Sequence, residues 1–206
     1  MTTTDDPVDR RVSTIGRAFP HTELKIIDNK TGKIVPCGEI GEICARGYCV
    51  MKCYYNNPAA THGTLDKDHW NHTGDLGTMD EEGYFKIVGR LKDMVIRGGE
   101  NIYPREIEEY LHHHEKIADI YVVGVPDVKY GEELCAWVKM KPGQTMTEQD
   151  VKDFCKGKIA HFKIPRYVMF VDDFPINISG KIMKFKMREH SIKVLGLQEA
   201  DKIETA

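Results

Sequence analysis

Four short segments of this 206-residue chain hold residue types that do chemistry. The first is His72-Thr73-Gly74-Asp75-Leu76. A tight turn there delivers one carboxylate at a strand end, and an ionised carboxylate can accept hydrogen bonds from two adjacent sugar hydroxyls. The same spacing also suits a turn Asp capping its own backbone. The second runs from Gly89-Arg90-Leu91-Lys92-Asp93 through Arg97-Gly98-Gly99 to Pro104. Arg90 offers a planar fork of donors and Lys92 a flexible point charge. Gly98 and Gly99 permit positive φ and close approach of a ligand to the backbone. A charged turn followed by a plain loop is the alternative. The third is Pro175-Ile176-Asn177-Ile178-Ser179-Gly180-Lys181, where a lysine follows a glycine in a polar loop. Such a lysine can set positive charge against a phosphate or carboxylate oxygen, or simply be solvated. It is no Walker loop, because GxxxxGK[ST] does not occur. The fourth, Gly38 to Ile43 with Arg46-Gly47 and Met51 to Pro58, reads as turns, strands and an aromatic pair.

The elements that must position these residues fall into two kinds. The first half is β-rich. Glu23–Ile27 alternates, Asp28 to Gly32 supplies turn chemistry, and Lys33–Val35 resumes the strand. Glu39–Arg46 alternates again, and Tyr84–Val88 follows a turn at Asp80 to Gly83. In the second half, Pro104 opens a helix over Arg105–His114, with Ile107, Tyr110, Leu111 and His114 at helical spacing. Glu106, Glu108 and Glu109 suit its positive end. Ile120–Val125 and Leu134–Met140 read as buried strands, and Tyr167–Val171 as a third. Thr147 with Asp150 starts a helix through Ile159 that buries Val151, Phe154 and Cys155. Lys184–Leu195 forms the final helix. This order predicts an α+β fold, with the boundary between a β-rich part and a helix-covered sheet near Gly89 to Asp93.

Composition narrows the classes. Hydrophobic residues make up 41% and charged residues 30%, which excludes wholesale disorder. Lys and Arg number 29 against 32 Asp and Glu, so the chain is not basic enough for a general nucleic-acid binder. No apolar run approaches the roughly 20 residues needed to cross a bilayer. Met1 to Arg10 reads as neither a signal nor a transit peptide, and Glu204-Thr205-Ala206 as neither a prenylation box nor a peroxisomal address. The six cysteines include no CxxC pair and are expected to be reduced thiols. The triplets at Asn29, Asn71 and Asn177 read as chance glycosylation matches. His112-His113-His114 points around a helix rather than to one face, so no metal-ligating group is expected. Trp70 and Trp137 read as packing residues. Lys181, Lys184, Lys186 and Arg188 suit a solvated helix face or an anion site.

Taken in order, the segments resemble the adenylate-forming superfamily of acyl-CoA synthetases, luciferases and peptide-synthetase adenylation domains. The resemblance covers nearly the whole chain, and its most specific stretch is Gly89 to Glu108, GRLKDMVIRGGENIYPREIE. The spacing to HTGD before it and PINISGK after it also matches. Arg46 to Met51, Phe154 to Tyr167 and Ile178 to Glu189 narrow the likeness to medium-chain fatty acyl-CoA ligases. The resemblance implies that residues 1–91 are the β-rich tail of a large AMP-binding domain. Residues 92–206 would be a small mobile lid, a three-stranded sheet with helices. Asp75 would hold the ribose hydroxyls of ATP or AMP, and Arg90 would contact the same nucleotide. Lys92 would be the hinge, and Lys181 would approach the α-phosphate and the substrate carboxylate. Gly98 and Gly99 would line the passage for the pantetheine arm of CoA. The implied reactants are a fatty acid, ATP with Mg2+, and CoA, with no obligate protein partner. The implied location is mitochondrial, a cytoplasmic one being the alternative.

The family's phosphate loop, its adenine-side aromatic motif and its acyl pocket lie upstream of the matched region. This chain alone is therefore expected to be inactive. Cys53 stands where relatives usually have Gly, and His72 where many have Arg or Lys. Two rivals remain on the sequence. One is another carboxylate-CoA ligase or adenylating enzyme; the other is a truncated, non-catalytic binding or regulatory protein.

Overall fold

The computed structural model describes residues 1–202, so the carboxyl-terminal end at Glu204 to Ala206 lies outside the described residues. The chain divides into two compact units, Met1–Lys92 and Asp93–Ala206.

The first unit is a four-stranded antiparallel meander, β1(Thr22–Ile27), β2(Gly41–Gly47), β3(Asn71–Met79) and β4(Phe85–Arg90), in that spatial order. Two short helices, α1(Val8–Ser13) and α2(Pro58–Thr64), accompany it. Asp28 makes the turn after β1, its Oδ1 accepting from the amides of Lys30 and Thr31. Lys33–Val35 was expected to continue as a strand, yet only Ile34 forms an isolated bridge, to Ile27. Asp80 repeats the device before β4, accepting from the amides of Glu82 and Tyr84. Ile26, Ile43 and Phe85 are buried together, with Leu24, Val35, Met79 and Ile87 packed around them. The HTGD segment lies inside β3 rather than in a turn at a strand end.

The second unit contains β5(Val95–Arg97), β6(Glu100–Ile102), α3(Pro104–His112), β7(Ile117–Asp127), β8(Gly131–Met140), α4(Glu148–Cys155), β9(Tyr167–Phe170), α5(Lys184–Val194) and α6(Gln198–Asp201). Its sheet runs β6-β5-β8-β7, and β9 pairs in parallel with β8. Five strands thus stand where three were expected. The extra pair is the β5–β6 hairpin, whose three-residue strands are too short to show a period of two.

Successive side chains on a strand point to opposite faces, and here both faces are covered. Val122, Leu134, Ala136 and Val138 pack with Ile107 and Leu111 of α3 and Val151 and Cys155 of α4. Val123, Val125, Cys135 and Trp137 pack with Met187 of α5. This double burial is why β7 and β8 read as continuous apolar runs. The capping box of α4 forms as expected, with Thr147 and Asp150 exchanging side-chain and backbone hydrogen bonds. The helix stops at Cys155, short of Ile159, because Lys156 turns extended at ψ 125° and Gly157 takes a φ of +71°. The helix after Lys184 is not the last, since α6 follows it.

Candidate active-site residues

Asp75 on β3 and Arg90 on β4 are direct register partners, and Arg90 Nε donates to Asp75 Oδ1 at 3.0 Å. A carboxylate has about four lone-pair positions, so this single bond leaves room for two hydroxyl donors. Both side chains are open to solvent. The part of β3 just before Asp75 is braced by Glu42, a buried carboxylate on β2. Its Oε1 accepts from Gly74 N at 2.9 Å, and its Oε2 lies 3.0 Å from His72 Nδ1. Thr73 Oγ1 donates to the Ile43 carbonyl at 2.7 Å and accepts from Asp75 N at 3.1 Å. A cleft of about 500 Å³ lined by Glu42, His72, Gly74, Tyr54 and Leu91 opens beside this part of β3.

Glu42, which the sequence reading took as part of a structural strand, is the buried carboxylate that holds the segment ahead of Asp75. The sequence does not mark it, because only the structure shows that the strand is buried from Gly41 to Cys44. Charges are seldom buried there without a specific partner. The same strands bring Glu42, Cys44 and His72 to within 4.8 Å of one another at their ligand atoms. Cys44 and His72 are register partners 28 positions apart, a proximity no local spacing reveals.

Lys92 is exposed in the 3-10 turn Leu91–Asp93 and is the last residue of the first unit. Gly98 and Gly99 form the two-residue loop of the β5–β6 hairpin, with φ of +58° and +90°. Positive φ at both central positions is the geometry of a type I′ turn. Gly98 N donates to the Tyr130 carbonyl at 2.8 Å, and a Cβ at Gly98 would lie 3.3 Å from the Tyr130 ring. A Cβ at Gly99 would meet nothing within 4 Å, so that side of the hairpin is open. Arg97 anchors the hairpin through a 2.7 Å ion pair to the buried Glu133, and its guanidinium lies 4.1 Å from the centroid of the Tyr130 ring. The hydrogen bond that Arg97 donates to the Glu133 carboxylate holds Arg97 above its ordinary range.

Lys181 is exposed on a closed loop built by Asn177. Asn177 Oδ1 accepts from Ser179 N, Ser179 Oγ and Lys181 N at 3.0, 2.8 and 2.9 Å. Asn177 N donates to the Lys181 carbonyl, and Ile176 bridges Ile182. Lys181 therefore leaves a rigid collar, whereas Lys184 and Arg188 are tied to Glu108 and Asp201. Asp75 and Arg90 are brought together in the first unit; Gly98, Gly99 and Lys181 are presented on loops of the second.

Lys25 and Arg46 both lie over the Trp70 ring, at 4.1 and 4.6 Å from its centroid, and Trp137 is buried with its indole N–H on Ser191 Oγ at 2.8 Å. Among the described residues no helix is long and apolar enough to cross a membrane.

Two family models match the chain. The AMP-binding enzyme model covers residues 1–55, and the AMP-binding enzyme C-terminal domain model covers residues 106–181. The chain is 54% identical over 97% of its length to the putative acyl-CoA synthetase YngI of Bacillus subtilis, covering 36% of that protein. It is 50% identical over 90% of its length to the mitochondrial medium-chain acyl-CoA ligase ACSF2 of Rattus norvegicus, covering 30% of it. The chain thus spans about a third of the length of the curated relatives it matches. Among solved structures, ATP-bound MatB from Rhodopseudomonas palustris superposes with a TM-score of 0.83 at 39% identity, over 88% of this chain and 36% of MatB. By sequence and by fold alike, the chain belongs to the adenylate-forming, AMP-binding enzyme family, whose members similar to it include acyl-CoA ligases.

Proposed function

We propose that this chain is the carboxyl-terminal part of an ATP-dependent ligase that joins a medium-chain fatty acid to CoA through acyl-AMP. In this reading the first unit is the tail of the nucleotide-binding domain and the second is the lid. In the first step a carboxylate oxygen of the acid attacks the α-phosphorus of MgATP, and pyrophosphate leaves. In the second the CoA thiolate attacks the acyl carbonyl, and AMP leaves. Mg2+ enters as part of the nucleotide substrate. The free lone pairs of Asp75 take the two ribose hydroxyls, and Arg90 both fixes that carboxylate and faces the nucleotide. Lys181 neutralises charge that grows on the α-phosphate in the first step. Gly98 and Gly99, bare of side chains, admit the pantetheine arm in the second, and Lys92 is the pivot between the two arrangements.

The observation that carries this reading is the Asp75–Arg90 pair, placed in register and held at 3.0 Å with one carboxylate oxygen unused by Arg90. The likeness to medium-chain ligases supports the acyl class, and mitochondrial relatives support that location. The test uses an intact ligase carrying this sequence. Lys181→Ala is expected to slow acid-dependent pyrophosphate exchange by about 10²–10³-fold, the loss of one transition-state charge contact. Thioester formation from supplied acyl-AMP should be largely spared. Equal loss in both half-reactions refutes the role given to Lys181.

A further inference from the structure

We propose that Glu42, Cys44 and His72 form a binding site for a zinc-type divalent ion in the first unit, apart from the residues assigned to adenylation. The three ligand atoms lie within 4.8 Å of one another. His72 Nδ1 is 3.0 Å from Glu42 Oε2 and 3.6 Å from Cys44 Sγ. Those separations suit nitrogen, oxygen and sulfur ligands held about 2.0–2.3 Å from one shared zinc ion. A thiolate, an imidazole and a carboxylate together favour zinc over magnesium or calcium, which take oxygen ligands alone.

Two further observations point the same way. The far side of the imidazole has a carboxylate of its own, with His72 Nε2 3.7 Å from Asp66 Oδ2. Ligating histidines characteristically direct their other ring nitrogen to such a carboxylate; here the separation is that of an ion pair, and a metal at Nδ1 would replace its 3.0 Å contact with Glu42 Oε2. Asp66 is itself held in place, its Oδ1 accepting from the amides of Asp68 and Trp70. An entry path exists as well, since Glu42 and His72 line the 500 Å³ cleft while Cys44 is buried behind them. A neighbouring acceptor on the same strand, Asn71 Oδ1, is buried without a hydrogen-bond partner. Binding displaces the Cys44 thiol proton to solvent, so affinity rises with pH. Glu42 Oε1 stays on Gly74 N, which leaves the carboxylate two-armed between the ion and the strand carrying Asp75.

The experiment titrates the 206-residue chain with Co2+ under reducing conditions and then displaces it with Zn2+. One equivalent of Co2+ should bind with thiolate-to-metal charge-transfer absorption in the near ultraviolet, and Zn2+ should abolish that absorption. Cys44→Ser and His72→Gln should each remove the band. His112→Gln/His113→Gln/His114→Gln and Cys49→Ser should keep it, and Asp66→Asn should keep it with affinity lowered about 10–100-fold. Circular dichroism reports folding. His72 is 32% exposed, so its variant decides the matter if the buried Cys44 variant does not fold. Persistence of the band in His72→Gln, cobalt binding without a thiolate band, or no stoichiometric binding each overturns the proposal.

Discussion

Removing the carboxylate of Glu133 tests how the glycine hairpin is held. Its side chain is 2% exposed and pairs at 2.7 Å with Arg97, which is 19% exposed; Arg166 reaches it only at 3.8 Å. Glu133→Ala leaves a largely buried guanidinium whose Nε already lacks a hydrogen-bond partner. Breaking a buried pair from one side costs about 3–5 kcal/mol. Arg97 keeps its stacking on Tyr130, worth about 1 kcal/mol, and some contact with water, which puts the expected loss near 3 kcal/mol. With a urea slope of about 2 kcal/mol per molar, the unfolding midpoint should fall by about 1.5 M. Trp137, buried in the second unit, reports this in a Trp70→Phe background, because the other tryptophan lies in the first unit. The paired substitution Arg97→Met/Glu133→Leu removes both charges and should return to within about 1 kcal/mol of the starting protein. A single-variant loss below about 1 kcal/mol, or a double variant as unstable as the single, refutes the reasoning.

Three other outcomes are expected. Burial pushes the thiols of Cys44, Cys135 and Cys155 up to about 12, 11 and 11, while Cys37, Cys49 and Cys53 are exposed. At pH 8 a colorimetric thiol reagent should therefore titrate three groups in the folded chain and six after denaturation. Because those three folded-state values are raised, their stabilisation is whole below the ordinary value of 9.0. It drains as pH climbs toward 11 and 12, at up to about 1.4 kcal/mol per pH unit per thiol. A denaturation midpoint unchanged between pH 8 and 10.5 would contradict this. Asn177→Ala should loosen the collar beneath Lys181 at little cost in stability, since the freed donors are exposed. In an intact ligase it should slow adenylation about tenfold or more while sparing thioester formation from acyl-AMP; unchanged adenylation rates would count against the collar's role.

Much of the fold was legible because its signals are local. The Asp28 and Asp80 turns, the Pro104 helix start and the Thr147–Asp150 capping box each rest on one or two residues acting on their own backbone. The apolar runs of β7 and β8 announced strands covered on both faces. What escaped were relations across the chain. The three-residue strands around Gly98-Gly99 gain their place from Glu133 and Tyr130, both more than thirty positions away. Asp75 and Arg90 were visible as residue types, yet their pairing follows from the register of β3 on β4, which a bulge between Leu76 and Gly77 shifts. Glu42 was hidden by its own neighbours, as an acidic residue in an alternating strand reads as solvent-facing until the strand proves buried. Asn177 sat within a glycosylation-type triplet while its side chain served as the hub of its loop.

The segment Lys33–Val35 has a consequence for self-association. A four-strand meander has two outer strands, and unpaired outer strands offer rows of amides and carbonyls to other chains. Here Val35 N donates to the Ile26 carbonyl and Asp28 N to the Lys33 carbonyl, sealing the carboxyl end of β1. On the opposite side Ile15 N donates to the Phe85 carbonyl and Phe85 N to the Gly16 carbonyl, sealing the start of β4. The stretch of β1 nearest its amino end carries Glu23 and Lys25, charges that an incoming strand would have to accommodate. The residues that failed to become a strand of their own occupy the backbone groups at the carboxyl end of β1, so a strand from another molecule would have to displace them to pair there.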